Sequence, residues 1–208
     1  MKKIVIFDFD GTLADTFPIT SEIFKTIIKE YGYKEINNED IQKLREMTPI
    51  QIISHFKFPI WKVPELIGKV RDKTADFVED IKPFKGINKM LNDLKKRNIK
   101  LGILTSNSKK TVDAFLKHKE FPKFEFIESE LSIFKKPDHL KKVISKYKFK
   151  RDEVIYVGDE VRDINAAKHA GIDVAAVTWG YNKKHILQKN KPTFLANSPA
   201  ELTKFLST

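Results

Sequence analysis

The chain has no cysteine among its 208 residues. Disulfides, thiolate catalysis and cysteine-ligated zinc are therefore excluded, and a reducing cytoplasm suits such a composition. Long hydrophobic runs are missing too. Met1-Lys2-Lys3 begins like the basic start of an export signal, but the apolar run Ile4–Phe7 stops at Asp8. An export signal needs an apolar stretch of about 7–15 residues, and a membrane span about 20. A cytoplasmic location with no membrane association is expected. Arginine is scarce, since lysine supplies 34 of the 39 basic residues. The formal net charge of +11 draws in anions, whether phosphorylated molecules or nucleic acid. Specific phosphate and base readout leans on the planar arginine fork. The lysines are scattered, as in Lys95-Lys96, Lys109-Lys110 and Lys141-Lys142, and read as a solvated surface, so no nucleic-acid partner is expected. His55, His118, His139, His169 and His185 share no ligand spacing and read as structural. No internal repeat or low-complexity segment is visible.

What is present begins with four short apolar runs, each ending in polar residues. Lys3-Ile-Val-Ile-Phe ends in Asp8, and Ile99-Lys-Leu-Gly-Ile-Leu ends in Thr105-Ser106-Asn107. Val154-Ile-Tyr-Val ends in Gly158-Asp159, and Val174-Ala-Ala-Val ends in Thr178. Runs of this kind, separated by helical patterns, predict buried parallel strands. Helices are expected over 86–98, with Ile87, Met90, Leu91 and Leu94 on one face, and over 108–118 behind a Ser108 cap. Two more are expected over 138–148, with Asp138 as cap, and over 161–170, ending at Gly171. The alternation predicts an α/β fold with a doubly wound parallel sheet. Ligands of such sheets bind beyond the carboxyl ends of the strands, where all four polar clusters converge.

Residues 15–82 break the alternation. Ile19, Ile23, Phe24, Ile27 and Ile28 make one amphipathic face; Ile41, Leu44, Ile52, Ile53 and Phe56 suggest more, and Leu66, Val70, Phe77 and Val78 another. Pro49, Pro59 and Pro64 break the pieces. An all-helical insert over 15–82 is expected within a core formed by 1–14 and 83–208.

Asp8-Phe9-Asp10-Gly11-Thr12 is the strongest local signal. Carboxylates this close resist joint ionisation unless they share a proton or a cation, and a hard divalent cation with oxygen ligands is the economical answer. An EF-hand needs a glutamate about twelve positions in; position 19 is isoleucine. Asp159 and Asp163 form a second acidic pair at another strand end, placed to supply further ligands; the alternative for Asp159 is a helix cap. Thr105 and Ser106 offer a hydroxyl and backbone N–H groups that suit a phosphate oxygen, or an ordinary cap. Pro137 is expected to hold Lys136 extended ahead of the next helix.

Together these segments resemble the haloacid dehalogenase superfamily, over almost the whole chain. Asp8 to Thr16 is similar to the family's first motif, Thr105 after Leu101-Gly-Ile-Leu to the second, and Lys136-Pro137-Asp138 to the third. Gly158-Asp159-x-x-x-Asp163, running on to Gly171-Ile172, is similar to the fourth, and Pro83-Phe84-Lys85-Gly86 to the re-entry from a helical cap. His139 stands where many relatives have a second proline. The phosphoglycolate phosphatase-like branch, with a cap after the first motif, is the nearest match.

The resemblance implies a Rossmann-like core and an enzyme that hydrolyses a small phosphomonoester. Asp8 would be the nucleophile and Asp10 the general acid and base. Mg2+ would be held by Asp8, the Asp10 carbonyl and Asp159, with Asp163 behind them. Thr105, Ser106 and Lys136 would hold the phosphate. Dehalogenases lack an acid at the position of Asp10. A phosphohexomutase or a phosphonatase using a cap lysine (Lys25, Lys29, Lys43 or Lys57) remains as an alternative, as does a non-catalytic binding module. The expected partner is a small phosphorylated metabolite, and the expected state a monomer or weak dimer.

Overall fold

The structure is a computed structural model that describes residues 2–117, 119–132 and 135–207. His118, at the end of one expected helix, and Phe134, before the Lys135-Lys136 pair, lie outside the described residues.

Six parallel strands form one sheet: β1 (Ile4–Phe7), β2 (Lys100–Thr105), β3 (Phe126–Ser129), β4 (Val154–Gly158), β5 (Asp173–Val177) and β6 (Phe194–Ala196). Their order is β3-β2-β1-β4-β5-β6, so the chain reverses direction across the sheet at β1. The central strands are apolar at every position because both faces are covered, and alternation still sorts them. Val5 and Phe7 of β1 join one apolar cluster, and Ile4 and Ile6 the other. Ile155 and Val157 against Val154 and Tyr156 repeat the division in β4. Helices α5 (Ile87–Lys96), α6 (Lys109–Lys117) and α10 (Pro199–Leu206) cover the first face. Helices α7 (Lys136–Lys146), α8 (Val161–Ala170) and α9 (Lys184–Lys189) cover the second.

Between β1 and α5 the described chain forms helices without a strand: α1 (Phe17–Glu30), α2 (Asn38–Leu44), α3 (Pro49–His55) and α4 (Val63–Ala75), with a 3-10 turn at Ile60–Lys62. Asn37 and Thr48 begin α2 and α3 with reciprocal capping boxes. The two ends of the insert meet at a narrow neck. Ala14 bridges Pro83, and Asp15 N donates to Lys82 O at 2.8 Å. No helix among the described residues is long and apolar enough to cross a membrane.

The structure departs from the sequence expectations at four places. β3, β6, α9 and α10 have no counterpart among the elements expected from the sequence. β3 is half-buried at a sheet edge and carries Glu128, and β6 is three residues long, so neither makes a full apolar run. Phe77 and Val78 do not extend α4. It ends at Ala75, and Phe77 N and Val78 N turn back three residues, to Thr74 and Ala75. Lys136 is not extended but opens α7, with Lys135 as its N-cap. Pro137 takes the second helical position, where its missing N–H is not needed. The two carboxylate bonds of the Lys136 ammonium outweigh the local preference. Asp138 accordingly lies in the first turn of α7 rather than at its cap.

Candidate active site

The ends of β1 and β4 and the starts of α7 and α8 bring the acidic residues and Lys136 together. Asp8 follows the buried strand β1 and is itself 1% exposed. Its Oδ1 accepts the Phe9 N–H at 2.8 Å, and its Oδ2 accepts the Lys136 ammonium at 2.6 Å. Lys136 also donates to Asp163 Oδ1 at 2.5 Å, so one buried cation bridges two carboxylates. Asp163 Oδ2 accepts Glu160 N at 2.9 Å, which anchors it in the first turn of α8. Asp159 is not the cap of that helix; Glu160 is. Asp159 instead accepts from Thr12 Oγ1 and from Tyr181 N, both at 2.7 Å. Oxygens of Asp8, Asp159 and Asp163 lie within 4.8 Å of one another.

The loops around Asp159 are pressed close. Gly11 has φ +73°, and a Cβ there would fall 2.2 Å from Asp159 Oδ2. A Cβ at Gly180 would meet the same oxygen at 2.2 Å and the Gly11 carbonyl at 2.3 Å. No side chain fits at either position.

Asp10 is half-buried and points elsewhere. Both its oxygens accept the Asn107 side-chain amide at 3.2 Å. Thr105 Oγ1 accepts Asn107 N at 2.9 Å, at the end of β2. Ser106 Oγ accepts from Arg162 at 3.3 Å. The sequence-predicted residues therefore gather at one sheet edge, with Asp8, Asp159, Asp163 and Lys136 in one cluster and Asp10, Thr105 and Ser106 beside it.

Electrostatics set the character of this edge. Burial pushes the Asp8 carboxyl up to about 7, against the pull of Lys136. Burial raises the Asp10 carboxyl, and the Asn107 amide opposes the rise. The Asp159 carboxyl sits well above the ordinary range, through burial and the neighbouring Glu160, Asp163 and Asp8. Burial pulls the Lys136 ammonium down, but Asp163 and Asp8 outweigh it and hold the ammonium above its usual value. No buried side-chain nitrogen or oxygen among the described residues lacks a hydrogen-bond partner. Hydrogen bonding is complete, yet the carboxyls outnumber the cations, and the raised Asp8 and Asp159 carboxyls reflect the cost of ionising them all. Hard, buried oxygen donors in excess of cations fit a hard divalent metal ion.

Sequence reasoning gave three residues no role. Arg162 on α8 is gripped by Glu160 Oε1 at 2.9 and 2.7 Å as well as by Ser106. Its signal was present, as one of five arginines inside an acidic motif. Tyr181 binds Asp159 through its backbone N–H and places its hydroxyl 3.0 Å from Thr16 Oγ1. Arg45, at the end of α2, donates to Tyr181 O and Gly180 O, each at 2.8 Å, and so ties the insert to the loop after β5. Nothing in local sequence marks either contact. Above Asp10, between the strand ends and the insert, lies a cavity of about 270 Å3.

The family model of haloacid dehalogenase-like hydrolases matches residues 5–177. A phosphoglycolate phosphatase of Synechococcus elongatus is 32% identical over 201 residues, covering 96% of this chain and 95% of that protein. Pyrophosphatase PpaX of Bacillus cereus is 28% identical, covering 98% and 95%. The crystal structure of a predicted phosphatase from Clostridium acetobutylicum covers 100% of this chain and 99% of that one, with a TM-score of 0.85 at 22% identity. That last likeness speaks for the fold.

Proposed function

Because the chain belongs to the haloacid dehalogenase-like hydrolase family, we propose that it is a Mg2+-dependent phosphatase working through a phospho-aspartate on Asp8. One observation carries the reading: the buried Asp8 carboxylate lies 2.6 Å from the Lys136 ammonium, inside the acidic trio, with Asp10 two residues away on its own amide partner. An Asp8 oxygen attacks phosphorus as the bond from phosphorus to the leaving oxygen breaks. Asp10 gives its proton to the leaving oxygen. Its raised carboxyl favours the protonated form that this step needs. A water then attacks phosphorus, Asp10 takes a proton from it, and the bond from Asp8 to phosphorus breaks. Lys136 and Thr105, with Ser106, hold the phosphoryl oxygens as charge spreads over them.

Asp8, the Asp10 carbonyl and Asp159 are the proposed Mg2+ ligands, and Asp163 positions Lys136. When bound, the ion supplies the positive charge that lets a phosphate dianion approach a carboxylate. Residues 15–82 are taken as a cap domain over a core of 1–14 and 83–208, supported by the neck at Ala14 and Pro83. The proposed substrate is a small soluble phosphomonoester, in a cytoplasmic setting. Against a phosphonatase stands the placement of lysines: among the described residues no lysine lines the cavity above Asp10. Lys25 pairs with Glu22, Lys29 with Glu35 and Lys43 with Asp40. Phosphate release from an ester panel tests the reading. Release is expected with Mg2+ and no bisphosphate activator, and its loss in EDTA. Turnover in EDTA would reject the metal site, and a bisphosphate requirement would point to a mutase.

A further inference from the structure

The walls of the cavity above Asp10 are mostly hydrocarbon. Phe24 of α1, Ile52 and Ile53 of α3, and Ile67 and Val70 of α4 face it. An adjoining cavity of about 190 Å3 shares Thr20, Phe24, Ile52, Val70, Glu160 and Tyr181 with the first, so the two form one cleft. All five apolar side chains are half-buried. Each gives one side to the insert's own clusters, Phe24, Ile53, Ile67 and Val70 to the one around Val63 and Leu66 and Ile52 to the one around Ile41 and Leu44, and the other side to the cleft. On the same helix Val63 and Leu66 are 1% and 7% exposed, in a cluster with Ile23, Ile27 and Phe58. Val63, Leu66, Ile67 and Val70 follow one helical face, which runs from that cluster out to the cleft.

Most polar side chains of the cleft are committed. Arg162 is held by Glu160 and Ser106, and Arg45 by the carbonyls of Gly180 and Tyr181. Arg71 is the charged exception, paired among the described residues only with the exposed Asp72 at 3.5 Å. Apolar walls with a few fixed polar groups are what a ligand with an apolar body requires. A two-carbon acid as leaving group would leave these walls against water.

We infer that the phosphate ester accepted here carries an apolar leaving group, a hydrocarbon chain or ring, seated on Phe24, Ile52, Ile53, Ile67 and Val70. The inference rests on the phosphatase reading for the phosphate end of the ligand alone. Alkylphosphonates keep that end and have no ester bond to break, so binding can be read apart from turnover. Methyl-, butyl- and hexylphosphonate are titrated calorimetrically into the protein with Mg2+. Affinity is expected to rise about fourfold per methylene, with a heat-capacity change that grows more negative along the series. Equal affinity for the methyl and hexyl compounds, or no binding of the hexyl compound, overturns the inference.

Ile67→Thr, and Ile53→Thr on the neighbouring helix, are each expected to cut the hexyl-to-methyl affinity ratio by about threefold or more. An unchanged ratio in both overturns the proposed seat. Phosphate release from phenyl phosphate by the same preparation reads the phosphatase proposal separately. Chain-length-dependent binding without release would remove that proposal and leave the apolar seat. Release with flat binding would do the reverse.

Discussion

Charge-assisted bonds of 2.5–2.6 Å hold Lys136 to Asp8 and Asp163 at the strand ends, whereas the insert above them coheres through two small apolar clusters. The strand-end network is specific in every atom, and glycines 11 and 180 leave no room for a Cβ beside Asp159. The insert clusters, Ile23 with Ile27, Phe58, Val63 and Leu66, and Ile28 with Ile36, Ile41 and Leu44, are defined only by shape and volume. A fixed chemical floor therefore lies under a roof that can be repacked. Changes in the floor should alter rates by orders of magnitude, and changes in the roof by factors.

The sharpest test of that division is Asp8→Asn. Loss of the proposed nucleophile should lower kcat by at least about a thousandfold while the circular dichroism spectrum stays unchanged, since Asn keeps the volume and the bond from Phe9. Retention of more than a tenth of the activity would break the assignment. Lys136→Met should be nearly as damaging to turnover and, unlike Asp8→Asn, costly to the fold. It leaves two buried carboxylates without their cation, a loss of about 3 kcal/mol by analogy with broken buried pairs. Urea unfolding without metal reads that number, and equal midpoints for the variant and the parent would contradict it.

Protonation offers a milder probe of the same floor. The Asp8 carboxyl is held near 7 in the folded protein against an ordinary 3.8. The folded state thus keeps this proton more tightly than the unfolded chain, and metal-free stability should fall as pH rises from about 4 to about 7. Carboxyls held below their ordinary values, such as those of Asp40, Glu65 and Glu125, act in the opposite sense, but only below about pH 4.5. Melting of the metal-free protein should therefore come earlier at pH 7.5 than at pH 5.5, and saturating Mg2+ should narrow the gap. A metal-free melting temperature that climbs across this window would show that the cluster does not carry its proton as described.

The same contrast separates what the sequence reveals from what it conceals. Asp8, Asp159 and Thr105 are legible because each ends a run of apolar residues, and a run of that kind fixes both the strand and the direction in which it points. The helical faces of 19–28 and 87–94 are legible for a related reason, the helical period. β3 and β6 are the two edge strands of the sheet, half-buried and short, and leave no apolar run to read. The role of Arg45 is invisible because its partners are backbone carbonyls some 135 residues away, which any sequence could supply. The backbone of Lys136 is not legible, because the local preference set by Pro137 yields to two carboxylates, Asp8 and Asp163, that lie far off in the sequence.

The junction of floor and roof is where the comparison is finest. Arg45 donates from the insert to Tyr181 O and Gly180 O, and the neighbouring Tyr181 N–H holds Asp159. Its guanidinium also lies over the Phe17 ring, 4.8 Å from the centroid, and Phe17 packs edge-on against Tyr181. Asn182 returns the contact by donating to Arg45 O at 2.9 Å, so the seam survives loss of the side chain in part. Arg45→Ala should loosen the seating of the insert without disturbing the carboxylates directly. The expected result is a KM raised several-fold with kcat within about threefold of the parent, because binding under the roof is weakened while the chemistry below it is not. A kcat that falls a hundredfold at unchanged KM would mean that the Tyr181 loop sets Asp159 through Arg45, and that floor and roof are one mechanical unit.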